Sequence, residues 1–323
     1  MNFNKIEQRI FSIQNNLDFE YLAFDIFNYQ YHSCSVYNQY CKLLNIIPDS
    51  IEKIENIPFL PIQFFKTQKI ISGDFEPEIT FSSSGTSGNQ TSKHHVKYLS
   101  VYKKSFLTTF KSFYPDWKEY SIIGLLPSYL EREGSSLIYM VDDLIHQSNQ
   151  NDSKFQLKLS AEFINYLEVD PTPKLIFGVT FALLNLAELG VKPKNAIIIE
   201  TGGMKGRGDE LTRDELHRIL KKKLKPKAIH SEYGMTELLS QAYLNNKEFK
   251  CPPWLKPLIR DTTDPLTCKA EGKGALNFID LANLHSCSFI ATDDLGTVNK
   301  TGGFNVAGRI DHTQIRGCNL LVL

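Results

Sequence analysis

The chain has no excess of charge: 36 Lys and Arg balance 36 Asp and Glu. Without surplus cations to neutralise a phosphate backbone, a general nucleic-acid binder is excluded. Cysteine is scarce and unpaired. Cys34, Cys41, Cys251, Cys268, Cys287 and Cys318 are scattered with no CxxC, which excludes a zinc ribbon. The first residues, Met1 to Glu7, lack a basic segment followed by an apolar run. This predicts no signal peptide, free thiols in a reducing environment and a cytoplasmic location. No long apolar run survives either: the richest, 175–191, is interrupted by Gly178, Thr180, Asn185 and Glu188, so no membrane span is expected. Low-complexity tracts and visible repeats are absent as well. There is no HExxH, no GxSxG and no Gly-Lys-Ser/Thr at Walker spacing, so the zincin, α/β-hydrolase and P-loop readings lack their motifs.

What is present suits a folded protein. With 323 residues and 42% hydrophobic content, disorder is excluded, and a chain this long buries about three quarters of its unfolded surface. The first seventy or so residues are helical in pattern. Phe19, Leu22, Ala23, Ile26 and Phe27 recur at helical spacing, as do Val36, Tyr40, Leu43 and Leu44. Pro48, Pro58 and Pro61 then force extended segments. From Glu78 strands alternate with helices. Ile79–Phe81 reads as a strand, and Ser100 as the N-cap of a helix carrying Val101, Phe106, Phe110, Phe113 and Tyr114. Ser121–Leu126, Leu175–Val179 and Ala196–Glu200 read as apolar strands, with a helix Ala182–Leu189 stopped by Gly190. Thr212 to Glu215 has capping-box spacing and opens a basic helix to Leu224. The alternation predicts an α/β fold. Beyond Lys250 the segments Ala275–Ile279 and Ser288–Ala291 are short and strand-like.

Four segments carry candidate chemistry. Ser82 to Lys93 follows a strand and is rich in Ser, Thr and Gly. Its small side chains let backbone N–H groups wrap a polyphosphate, though the composition equally fits a plain surface loop. In Glu200-Thr201-Gly202-Gly203-Met204-Lys205-Gly206-Arg207-Gly208 the paired glycines let a flat base approach the backbone. Leu211 stands where a dinucleotide fingerprint needs its third glycine, and a tight strand-to-helix turn fits too. Ser231-Glu232-Tyr233-Gly234-Met235-Thr236-Glu237 offers a stacking ring, a hydroxyl donor and a hard oxygen ligand for Mg²⁺. Alternatively, Thr236 and Glu237 cap a helix Leu238–Leu244. In Ala291-Thr292-Asp293-Asp294-Leu295-Gly296, with Gly308-Arg309-Ile310-Asp311 downstream, an Asp can accept both ribose hydroxyls and an Arg can reach sugar or phosphate. Asp-Leu-Gly is also hairpin-turn chemistry. The pair His94-His95 diverges on a strand and reads as structural.

In this order, SSSGTSG, TGGMKG, YGMTE, TDDLG and GRID resemble the motifs of the adenylate-forming superfamily of acyl-CoA synthetases, luciferases and adenylation domains. Gly124 to Arg132, Ser135 to Met140 and the ending Ile315 to Asn319 are similar to its acyl-protein synthetase (LuxE-like) branch. The likeness runs from about Pro58 onward. It implies an adenylate-forming N-terminal core of layered sheets and helices with a small β-rich closing lobe, lacking the family's mobile C-terminal domain. The expected units are a helical cap at 1–75, an α/β nucleotide-binding core at 76–250 and the closing lobe at 251–323.

The resemblance also implies ATP and Mg²⁺. Ser84, Gly85, Thr86, Ser87 and Gly88 would hold the β- and γ-phosphates, and Gly202, Gly203 and Tyr233 would frame the adenine. Thr236 would bond the α-phosphate, Glu237 would ligate Mg²⁺, and Asp294 would take the ribose hydroxyls with help from Arg309. Asp293 departs from the family's glycine and is a second candidate for the ribose. The implied activity is activation of a carboxylic, fatty-type acid to an acyl-adenylate, then transfer to Cys318 as a thioester, with Arg316 lowering the thiol pKa. An acyl-reductase or acyltransferase would be the partner. Two alternatives remain: an acyl- or aryl-CoA ligase core using a separate C-terminal domain, and a non-catalytic nucleotide-binding scaffold.

Overall fold

The computed structural model describes residues 3–83, 90–126, 134–202, 211–244 and 246–310. Three helices come first: α1 (Phe3–Ile10), α2 (Asn16–Ser33) and α3 (Ser35–Leu43). Asn15 caps α2 by accepting the Asp18 N–H. The apolar stripe predicted for this helix, Phe19, Leu22, Ala23, Ile26 and Phe27, is buried. One polar residue lies within it. Gln30 is fully buried; its amide N–H donates to the carbonyls of Asn283 and Leu284 and to the Ser288 hydroxyl, while its oxygen accepts the Ser288 N–H. The proline-rich stretch then runs extended, and β1 (Leu60–Pro61) joins the main sheet in parallel before the single turn α4 (Phe64–Thr67).

Next comes a separate antiparallel hairpin, β2 (Ile79–Ser82) and β3 (Lys93–Val96), joined through 84–89. Helix α5 (Leu99–Phe113) follows. It does not begin at Ser100. Its N-cap position is Tyr98, and the first N–H, from Leu99, is accepted by the Glu78 carboxylate across the hairpin, so a distant acid replaces the expected serine cap.

The parallel half of the main sheet is built from β4 (Ser121–Leu125), β5 (Lys154–Phe155), β6 (Lys174–Gly178), β7 (Ala196–Glu200) and β8 (Ala228–Tyr233), side by side in the order β5-β4-β6-β7-β8. Every residue of β4, β6 and β7 is buried. That explains why they read as unbroken apolar runs: helices cover both faces of a parallel sheet. Those helices are α6 (Ser136–Gln147), α7 (Ala161–Val169), α8 (Thr180–Glu188) and α9 (Arg213–Leu224). Gly190 takes positive φ just past α8, and Thr212 with Glu215 forms the predicted capping box on α9.

Beyond β8 the sheet turns antiparallel through β9 (Ala242–Leu244) and β10 (Phe249–Lys250). It continues with β11 (Leu255–Arg260), β12 (Cys268–Lys269), β13 (Gly272–Asp280), β14 (Phe289–Val298) and β15 (Phe304–Arg309), in the order β9-β10-β15-β14-β13-β11-β12. The helix expected over Leu238–Leu244 does not form. Asp280 accepts the N–H groups of Leu239 and Ser240 and the Ser240 hydroxyl, and residues 242–244 pair with β8 and β10 instead. The Asp-Leu-Gly segment is likewise no hairpin turn. It lies inside β14, and Gly296 is there because a Cβ would sit 2.0 Å from the Asn305 carbonyl oxygen. Among the described residues no helix is long and apolar enough to cross a membrane.

Candidate active site

The antiparallel register sets Asp294 of β14 opposite Arg309 of β15. The Arg309 Nε donates to Asp294 Oδ1 at 2.9 Å, and the Tyr233 hydroxyl at the end of β8 donates to Oδ2 at 2.7 Å. The carboxylate is buried while the arginine side chain is 72% exposed. Burial opposes the Arg309 charge, but Asp294 outweighs it and its pKa is raised. Tyr233 is itself buried, stacked on Phe278 at 5.2 Å between ring centroids and met edge-on by Phe249 and Phe304. Burial first, then Asp294, lifts its phenol well above the usual range. Tyr233 is therefore a positioned hydroxyl on Asp294, with one ring face already covered.

Successive strand residues point to opposite faces, and the two aspartates part accordingly. Asp293 receives the Gln63 amide on both carboxylate oxygens, at 2.7 and 2.8 Å. Only Asp294 joins Tyr233 and Arg309, so the two acids do not share one position.

Thr236 and Glu237 follow Tyr233 in a turn held at its backbone from two sides. The Asn283 amide donates to the Glu237 carbonyl at 2.8 Å, and His94 Nδ1 donates to the Thr236 carbonyl at 2.8 Å. The Glu237 side chain is buried and makes no ion pair among the described residues. Burial raises its carboxyl pKa, offset by the Ser92 hydroxyl, its own backbone N–H, and the charges of Arg309 and Lys66. A desolvated carboxylate of this kind is stabilised by a nearby cation. No cluster of three or more metal-ligating side chains occurs among the described residues. The donor set thus fits Mg²⁺ held by one carboxylate and completed by phosphate oxygens.

Gly202 takes φ +76° after β7. The buried Glu200 fixes this turn: its Oε1 accepts the Thr180 hydroxyl and the Gly202 N–H, and its Oε2 accepts the Ser231 hydroxyl, which also contacts His217 Nε2. Glu232, on the opposite face of β8, has a buried Oε2 with no hydrogen-bond partner among the described residues; burial and the charge of Glu200 push its carboxyl up to about 8. Arg213 lies with its guanidinium 4.7 Å from the Phe249 ring, lowered in pKa by burial and held charged by Glu200, Asp214, Asp294 and Tyr233. Glu200, His94, Arg213, Asp280 and Asn283 thus support the site without having been singled out as site residues. Ser84, Gly85, Thr86, Ser87, Gly88, Gly203 and Cys318 lie outside the described residues, as do Asp311 and Arg316.

The comparisons with known proteins agree with the resemblance. The family model described as acyl-protein synthetase, LuxE, matches residues 12–106. A long-chain-fatty-acid–luciferin-component ligase of Vibrio harveyi is 24% identical over 324 aligned residues, covering 91% of this chain and 84% of the relative. A protein of the same name from Photorhabdus luminescens is 38% identical over 68 residues, covering 21% and 58%. ATP-bound MatB from Rhodopseudomonas palustris superposes with a TM-score of 0.52 at 15% identity, over 73% of this chain and 49% of that one. Its apo form gives 0.51 at 15% identity, over 71% and 47%. This chain spans about half the length of those solved structures. The mixed α/β fold is that of the N-terminal domains of adenylate-forming enzymes.

Proposed function

We propose that this chain uses ATP to activate a carboxylic acid, of the fatty-acid class, as its acyl-adenylate and passes the acyl group to Cys318. The observation that carries the reading is Asp294, held between Tyr233 and Arg309, the arginine whose charge also reaches the buried carboxyl of Glu237. The similarity to the V. harveyi ligase along most of the chain supports the acid class.

A carboxylate resists attack because of its charge, so it must first act as a nucleophile. One of its oxygens attacks the α-phosphorus of ATP; the bond to the β-phosphate bridge oxygen breaks, and pyrophosphate leaves with the electron pair. Asp294 accepts the ribose hydroxyls, Arg309 adds positive charge at the edge of the site, and Thr236 donates its hydroxyl to the α-phosphate. Gly202, on the turn fixed by Glu200, leaves room for the base, with Gly203 assigned to the same role and Tyr233 flanking the base. Ser84 to Gly88 embrace the outer phosphates. Glu237 would hold Mg²⁺, which when bound would supply positive charge to the phosphate oxygens. The work is positioning and electrostatics, as phosphate transfer requires. The Cys318 thiolate then attacks the acyl carbonyl carbon, the bond to AMP breaks, and AMP departs with a thioester left on sulfur. Free thiols at Cys34, Cys41, Cys251, Cys268 and Cys287 suit a reducing cytoplasm. An acyl-reductase or acyltransferase would take the acyl group onward.

Intact-mass spectrometry after incubation with ATP, Mg²⁺ and fatty acids of graded length tests the reading. One acyl mass per chain, released by hydroxylamine, is expected, and Cys318→Ser is expected to lose it while keeping acid-dependent ATP–pyrophosphate exchange. Label persisting in Cys318→Ser removes Cys318 as the acceptor, and no exchange with any acid removes the whole reading.

A further inference from the structure

We propose that His94 is a positioning residue: it registers the β2–β3 hairpin, which carries the Ser/Thr/Gly segment, against the Thr236–Glu237 turn. Its effect on turnover rests on the function proposed above; its effect on the turn does not.

The topology makes such a link necessary. Among the described residues the hairpin β2–β3 has no ladder to the main sheet, whereas Thr236 and Glu237 follow directly from β8, a strand of that sheet. A phosphate-embracing segment on one body and a metal ligand on the other need a fixed relation, since a displacement of about 1 Å can cost roughly a hundredfold in rate. His94 supplies a direct polar bridge. It lies in β3, is 1% exposed, and reaches the Thr236 carbonyl oxygen from Nδ1 at 2.8 Å. His95 points the other way, to the Thr80 hydroxyl at 3.0 Å, within the hairpin.

The chemistry fixes the form of the ring. A carbonyl can only accept, so Nδ1 carries the proton. Nε2 is buried without a partner among the described residues, and the ring meets Phe65 edge-on at 5.8 Å between centroids. A second N–H there would be unsatisfied in apolar surroundings, which costs free energy. The imidazole is therefore neutral and holds the Nδ1–H tautomer, in keeping with a pKa pushed down to about 4 by burial.

Three substitutions separate positioning from bulk. Asn places an N–H at the same step along the side chain as Nδ1, Gln places it one step further, and Leu keeps an apolar volume with no donor. Hydrogen–deuterium exchange of the amides at 235–240 is expected to accelerate in His94→Leu and His94→Gln and to return toward wild type in His94→Asn. With acid and ATP, kcat of exchange should fall roughly ten- to a hundredfold in His94→Leu with the acid KM nearly unchanged, and recover in His94→Asn. Long-range proton–nitrogen NMR of the wild type should show His94 protonated on Nδ1 and not titrating above pH 5. Protonation on Nε2 overturns the proposal, and so does exchange that rises across the whole chain alike in all three variants. Wild-type turnover in His94→Leu overturns it as well. An inactive wild type removes only the reading of function, and the turn's exchange and the tautomer still decide the role of His94.

Discussion

Replacing Asp294 with Asn probes the centre of the site with the least change of shape. The carboxylate offers both oxygens, one to the Tyr233 hydroxyl at 2.7 Å and one to Arg309 Nε at 2.9 Å. An amide keeps one acceptor and turns an N–H₂ toward the other donor. Arg309 is mostly exposed, so its pair is screened and contributes little. The bond to buried Tyr233 is charge-assisted and contributes about 1.5–3 kcal/mol. The variant should therefore lose about 2 kcal/mol of stability yet remain folded. For the nucleotide, the loss of ribose hydroxyl bonds to a charged acceptor is again about 1.5–3 kcal/mol, which raises the ATP KM roughly 10- to 150-fold and leaves the acid KM alone. The decisive assay is pyrophosphate exchange with ATP against 2′,3′-dideoxy-ATP. The wild type should discriminate strongly, whereas in Asp294→Asn the two nucleotides should converge, because the lost bonds are the same bonds. A variant that still discriminates as the wild type does refutes the ribose assignment.

Glu232 gives a pH signature. Its folded pKa is about 8 against an ordinary 4.5, so between those values the folded state holds more protons, and its contribution to stability declines as pH rises through that window. In Glu232→Gln that decline is removed. Its melting temperature should exceed the wild type's by a margin that widens from pH 5 to pH 8.5, and a margin independent of pH contradicts the assignment. Gly296→Ala forces a Cβ to within 2.0 Å of the Asn305 oxygen. Overpacking inside the β14–β15 ladder should cost about 3 kcal/mol, seen in calorimetry as a melting point roughly 4 °C lower; an unchanged melting point would show that the strands part without cost.

The three central strands of the parallel half, β4, β6 and β7, were legible in the sequence because burial on both faces leaves a one-dimensional trace: Ile122-Ile123, Leu175 to Phe177 and Ile197 to Ile199 need no partner to be recognised. The capping box at Thr212 was legible for the same reason, being complete within four residues. The misread elements depend on atoms far along the chain. Leu238 to Leu244 suits a helix by local propensity, but Asp280, some forty residues on, captures its first N–H groups and β8 takes its last residues. Ser100 lost the cap of α5 to Glu78 across the hairpin. In the site, Asp294 and Arg309 were visible as motif letters. Which of two adjacent aspartates faces the arginine required the pleat, and the parts played by Glu200 and Asn283 required their partners. The histidine pair does diverge as predicted, but where the inner ring lands, 142 residues away at Thr236, is a matter of topology.

The amide of Gln30 gives the amino-terminal helices a stake in Asp294 without touching it. Three hydrogen bonds leave its nitrogen and one reaches its oxygen, all spent on the connection that feeds β14. Were α2 pried away, the Leu284 carbonyl and the Ser288 N–H would lose their partner in the buried interior. The strand bearing Asp294 would then start from a frayed end, so damage to α2, far along the chain from the motifs, would register first as a loosened carboxylate.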